Sequence, residues 1–164
     1  MQSRQMLDYW AAVSGARDRV AGIRRQLRSL VAQGTTLDAT RIRESRRRGP
    51  FMVHDYWRFI DRNRESVAIT GSVALLCFGL IRRRPGNLDL IRIGGIRETR
   101  VRSLVVNTWS MDGQTIETSG GFLFQNPYEI LLRKTDAVGG AEGPDWRLCH
   151  LDDILEACAT IGIC

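Results

Sequence analysis

Hydrophobic positions recur along this chain in more than one rhythm, and each rhythm predicts a different kind of element. From Ser3 to Ala32 the apolar residues Met6, Leu7, Trp10, Val13, Val20, Ile23, Leu27, Leu30 and Val31 return at helical spacing with arginines between them. That spacing predicts a long helix or a helix pair broken near Gly15. Gln33-Gly34-Thr35-Thr36 ends it, and Leu37 to Arg48 predicts a second, strongly basic helix that closes at Gly49-Pro50. Phe51 to Arg64 spaces Phe51, Val53, Tyr56, Trp57, Phe59 and Ile60 so that a helix buries one aromatic-rich face, which gives Tyr56 and Trp57 a core role.

The pattern then shortens. Val67-Ala68-Ile69 reads as a buried strand, Gly71-Ser72 as a tight turn, Val73 to Ile81 as a helix, and Leu88 to Ile93 as a returning strand. Strand alternation puts Asn87 and Asp89 on one face, opposite Leu88 and Leu90. Beyond Gly94-Gly95, Val101 to Trp109 and Thr115 to Phe124 predict a hairpin across Met111-Asp112-Gly113-Gln114. Asn126-Pro127 reads as the cap and first turn of a helix over Tyr128 to Val138, followed by a loop from Gly139 to Pro144. Leu151 to Ala159 predicts a closing helix with Leu151, Ile154, Leu155 and Cys158 as its apolar stripe and Asp152 and Asp153 in its first turn.

This order predicts an α+β fold with a basic helical extension over residues 1–49 and one domain over residues 50–164. The longest apolar run, Val73 to Ile81, has nine residues and ends in three arginines, too short to span a bilayer. The N-terminus shows no secretory leader pattern, so the expectation is a cytoplasmic protein without a membrane partner. Cys77, Cys149, Cys158 and Cys164 form no CxxC pair and accompany only His54 and His150, so the sequence suggests neither a zinc cluster nor a disulfide framework. Cys149-His150 and the lone His54 offer a nucleophile and a base, but residues so scattered read as structural.

Charge changes the picture at one end. Residues 1–50 hold eleven arginines against four acids, whereas residues 51–164 hold thirteen basic residues against fourteen acids. The Arg46-Arg47-Arg48 cluster either faces phosphate or is a solvated helix end. Lys134 is the sole lysine of the chain.

Nucleotidyl transfer needs metal ions bridging phosphate oxygens and in-line positioning more than covalent help from the protein. A Gly-Ser turn at a strand tip supplies backbone N–H groups and a hydroxyl for phosphate, and acids spaced i, i+2 on the next strand supply metal ligands from one face. Gly71-Ser72, the helix end Gly79-Leu80-Ile81-Arg82, and Asn87-Leu88-Asp89-Leu90 resemble the signature of the nucleotidyltransferase superfamily that includes minimal nucleotidyltransferases and abortive-infection toxins. Pro127 to Lys134 and His150-Leu151-Asp152-Asp153-Ile154 extend that resemblance, which covers residues 51 to 160.

The resemblance implies a nucleotidyltransferase-like mixed β-sheet flanked by helices. It also implies binding of a nucleoside triphosphate with Mg²⁺, transfer of a nucleotide to a protein or RNA hydroxyl, and a toxin–antitoxin setting. Gly71, Ser72, Lys134 and Arg82 would hold the nucleotide. Asn87, Asp89 and Glu117 would hold the metal, with Asp89 and Glu117 catalytic and Asp112 the other candidate for the third acid. For Lys134 the alternative is a surface residue beside Arg133, and Arg82 to Arg84 either neutralise phosphate or form a solvated turn before Pro85-Gly86. Members of the family carry two acids where this chain has Asn87 and Asp89. A second expectation therefore stands beside the first: a degenerate nucleotidyltransferase-like binding module whose N-terminal arginines engage nucleic acid or an acidic partner protein.

Overall fold

The computed structural model describes residues 2–37, 54–96, 106–138 and 144–163. Helix α1 spans Gln2–Ala32 and α2 His54–Arg62, followed by strand β1 (Val67–Thr70), helix α3 (Gly71–Cys77) and strand β2 (Leu88–Arg92). Strands β3 (Val106–Ser110), β4 (Ile116–Ser119) and β5 (Phe122–Gln125) come next, and helices α4 (Pro127–Val138) and α5 (Pro144–Ile161) close the chain. The predicted second basic helix falls on residues 38–48, outside the described residues, as does the Arg46 to Arg48 cluster. Among the described residues no helix is long and apolar enough to cross a membrane.

The fold is α+β, with one mixed five-stranded sheet in the order β3-β2-β1-β5-β4. β1 pairs antiparallel with β2 and parallel with β5, β2 pairs parallel with β3, and β4 pairs antiparallel with β5. Central β1 is buried at all four positions, which is why its sequence is a short continuous apolar run rather than an alternation. By contact, the chain divides into two compact units, residues 36–130 and residues 1–35 with 131–164. The N-terminal helix thus shares a unit with the C-terminal helices, and the division passes through α4 after Ile130.

In the sheet unit the register sorts side chains onto two faces, because paired residues on adjacent strands point the same way. Ile69, Leu90, Phe124 and Glu117 share one face. Phe78, just past α3, meets Phe124 on that face edge to face at 5.2 Å between ring centroids, a geometry that adds about 0.5–1.5 kcal/mol to area burial. Thr70, Asp89 and Asn107 lie on the other face. α3 is shorter than the predicted Val73 to Ile81. Its apolar run continues, but Leu80 N–H reaches Leu75 C=O and Gly79 N–H reaches Leu76 C=O, a Schellman turn that closes the helix after Cys77.

The predicted hairpin between Val101 to Trp109 and Thr115 to Phe124 does not form. β3 and β4 lie at opposite edges of the sheet, and the hairpin present joins β4 to β5 instead. Its turn is Gly120-Gly121 at φ 60 and 83, the two-residue loop with positive φ at both positions that matches strand twist. These glycines cut the predicted Thr115 to Phe124 strand in two, with Ser119 opposite Phe122.

In the helical unit α1 runs without a break through Gly15, with Ile23 and Leu27 fully buried and Val20, Leu30 and Val31 half-buried. Arg24 of α1 pairs with Asp136 of α4. α4 starts within the sheet unit and as expected, with Pro127 as its first residue and Tyr128 N–H donating to Asn126 Oδ1 at 2.8 Å. α5 starts at Pro144, earlier than expected, so Asp152 and Asp153 sit inside the helix and not in its first turn. Leu151, Ile154 and Cys158 of the predicted stripe are buried. Burial pushes the Cys158 thiol up to about 11 against the lowering pull of Arg19, so it stays protonated at neutral pH.

Candidate functional site

The Gly71-Ser72 turn and Asp89 are brought together by the β1–β2 ladder, whose last pair is Thr70 opposite Asp89. Gly71 follows at φ +63, and a Cβ built on it would lie 2.7 Å from Asp89 Oδ2. Only glycine meets both demands, a left-handed backbone and the close approach of a carboxylate. Ser72 Oγ accepts a hydrogen bond from the Arg83 guanidinium at 2.8 Å. Arg83, half-buried, is therefore the arginine at the turn, while Arg82, named from the sequence, is exposed. Asn87 is half-buried and directly precedes β2.

A polar row extends from this point across the sheet. Asn107, opposite Asp89 in the parallel β2–β3 pairing, donates from Nδ2 to Asp89 Oδ1 at 3.0 Å. On the other side Thr70 Oγ1 donates to Gln125 Oε1, and Gln125 Nε2 donates to Glu129 Oε2 at 3.2 Å. Glu129 also accepts the Thr115 backbone N–H. Thr70 and Gln125 are buried, and each has the partner that burial demands. Asp89 is half-buried.

Two residues expected at the site are placed elsewhere. Glu117 lies on edge strand β4, separated from β2 by β1 and β5, and on the sheet face opposite Asp89. Its carboxylate accepts from Asn126 Nδ2 at 3.0 Å. Burial raises its pKa, the Asn126 hydrogen bond lowers it, and nearby Glu129 raises it further. The expected grouping of Glu117 with Asp89 fails because the hairpin turn at Gly120-Gly121 sends β4 to the far edge. Asp112, the other candidate, is exposed in the segment after β3.

Lys134 belongs to the helical unit and is 6% exposed, so the surface reading beside Arg133 is overturned. Its Nζ pairs with Asp153 Oδ2 at 3.0 Å and lies 3.1 Å from His150 Nδ1. An ammonium has only protons to give, so Nδ1 is the acceptor and neutral His150 carries its proton on Nε2. Asp153 is 1% exposed. A carboxylate so deeply buried needs a cation beside it, and Lys134 is that cation.

Asn107, Thr70 and Gln125 are the polar residues that sequence reasoning passed over. The signal in the chain is slight: each is an ordinary polar residue in or beside an apolar run, and its partner is set by strand or helix pairing.

A Mg²⁺ ion takes near-octahedral oxygen ligands, usually one or two carboxylates plus substrate phosphates. Here Asp89 is accompanied by the amides of Asn87 and Asn107, and one of its oxygens already receives an N–H. Among the described residues no three His, Cys, Asp or Glu side chains gather into a group that could hold a metal. This donor set does not fit the paired-metal centre that nucleotidyl transfer uses. What the arrangement offers is hydrogen bonding from a turn hydroxyl, an arginine and one carboxylate. In comparisons with known proteins, the chain matches no protein-family model, no curated protein and no solved structure.

Proposed function

We propose that the sheet unit is a degenerate nucleotidyltransferase-like module that binds a nucleoside triphosphate beside the Gly71-Ser72 turn without carrying out two-metal transfer. The observation that supports this most is the approach of Gly71 to Asp89, where a Cβ would fall 2.7 Å from the carboxylate. Glycine here lets the backbone pass close to a half-buried acid with no side chain in the way, the unobstructed approach that a phosphate-binding turn uses. Arg83 and Ser72 supply a cation and a hydroxyl for phosphate oxygens, and Asp89 supplies an acceptor for a hydroxyl or amino group of the ligand. The single carboxylate supports binding over transfer to an RNA or protein hydroxyl.

The arginine-rich N-terminal segment, whose α1 belongs to the helical unit, supports an electrostatic contact with nucleic acid or an acidic partner protein. Arg4, Arg17, Arg19, Arg25 and Arg28 of α1 are exposed. Contact with nucleic acid would weaken steeply as salt rises, and an affinity indifferent to salt would remove it.

Calorimetric titration of the protein with each nucleoside triphosphate tests the ligand. The expected result is saturable binding that Asp89→Ala and Arg83→Ala each weaken by roughly tenfold or more. Binding of no triphosphate, or binding that neither substitution changes, contradicts it. Radiolabelled triphosphate with Mg²⁺ or Mn²⁺ should label no acceptor.

A further inference from the structure

Asp89 has an in-register neighbour on each side, Thr70 in β1 and Asn107 in β3. Side chains so placed stand about 5 Å apart on one face, and Asn107 bridges that gap with its amide, 3.0 Å from Asp89 Oδ1. Chemistry fixes the amide's orientation: an ionised carboxylate has no proton to give, so it faces the NH2 end. The other oxygen, Oδ2, is turned toward the Gly71 backbone.

A cation arriving at this carboxylate would meet N–H dipoles with their positive ends forward on the Asn107 side. The half-buried acid Glu117, which sequence reasoning assigned as a partner, lies on the opposite face and three strands further on. We propose that Asn107 keeps this site free of divalent cations, so that its phosphate-bearing ligand is held by hydrogen bonds and arginine charge alone. The identity of that ligand rests on the nucleotide-binding reading, whereas the effect on cations rests on the Asp89–Asn107 geometry. The same register leaves the opposite arrangement one substitution away. Asn107→Asp sets a second carboxylate beside Asp89 at a spacing that brackets one cation, and Asn87→Asp adds another acid at the start of the same strand.

The test uses Mn²⁺ alone, without nucleotide, followed by electron paramagnetic resonance on the wild type, Asp89→Asn, Asn107→Asp and Asn87→Asp/Asn107→Asp, with circular dichroism to confirm folding. Wild type and Asp89→Asn should bind Mn²⁺ equally weakly, and Asn107→Asp should tighten binding by roughly tenfold or more, the scale on which groups around a metal change affinity. Wild-type Mn²⁺ binding that Asp89→Asn abolishes overturns the inference, as does a folded Asn107→Asp that binds no better than wild type. Should the aspartate variants fail to fold, the wild type against Asp89→Asn decides alone, equal weak binding supporting the inference and an Asp89-dependent site overturning it. Failure of every triphosphate to bind removes the nucleotide reading and leaves the Mn²⁺ result standing.

Discussion

Asp89 and Lys134 are both charged residues set in apolar sequence, and the structure treats them in opposite ways. Lys134 and its partner Asp153 are almost wholly buried, and the ammonium is flanked by a carboxylate and an imidazole nitrogen. Asp89 is half-buried, receives one N–H from a neutral amide, and turns its other oxygen to a glycine. Inside a protein a charge must be matched where it sits, so a pair compensated by its own unit is part of the scaffold. A charge that keeps access to solvent and, among the described residues, pairs with a neutral amide has interaction capacity left for a ligand. Lys134, proposed from the sequence as a phosphate contact, thus has a structural role that Asp89 lacks.

The sharpest way to break this contrast is to remove each charge and compare stability. Lys134→Met leaves Asp153 buried without its cation and should cost about 3–5 kcal/mol in urea unfolding, and the double change Lys134→Met/Asp153→Leu should recover most of the loss. If Lys134→Met costs under about 1 kcal/mol, the pair is not scaffold. Gly71→Ala comes next. It forces a Cβ against Asp89 at positive φ, and should cost about 1–3 kcal/mol while abolishing triphosphate binding. The combination with Asp89→Ala should lose less than the two single changes summed, because the clash is shared. Asp89→Asn should alter stability by less than about 1 kcal/mol, and a loss as large as that of Lys134→Met would make the two regions alike.

Glu117 gives the smallest effect. Its folded pKa is raised by burial, so the folded state holds this proton more tightly than the unfolded chain. Its contribution is fully present below the unfolded value of 4.5 and is lost as pH rises through the folded pKa. Glu117→Gln removes that loss and should flatten the decline of stability over this window, by less than about 1 kcal/mol. An unchanged pH profile would show that Glu117 titrates as an exposed acid.

How far the sequence reveals these features follows from how local each one is. β1, β2, the Asn126 cap and the start of α4 rest on neighbouring residues, and they stand where the pattern places them. The β4–β5 hairpin is local too, but Gly120-Gly121 sits inside what reads as a single strand, and Asp112-Gly113 offers a stronger turn signal. The juxtaposition of Gly71 and Asp89 is legible because a strand, a short helix and a returning strand bring them together. Asn107 and Gln125 are not, since their places depend on strand order, which no spacing within the chain specifies. Asp153 reads as part of a helix start because Pro144, the first residue of α5, lies in what reads as a loop.

Metal-independent triphosphate binding at Asp89 is tested most directly by titrating a nucleoside triphosphate into wild type and Asp89→Ala in the presence of EDTA. The expected result is saturable binding to the wild type that excess Mg²⁺ in place of EDTA changes by less than about threefold, and that Asp89→Ala weakens by roughly tenfold or more. Binding that appears only with Mg²⁺, or that survives the loss of Asp89, would contradict it.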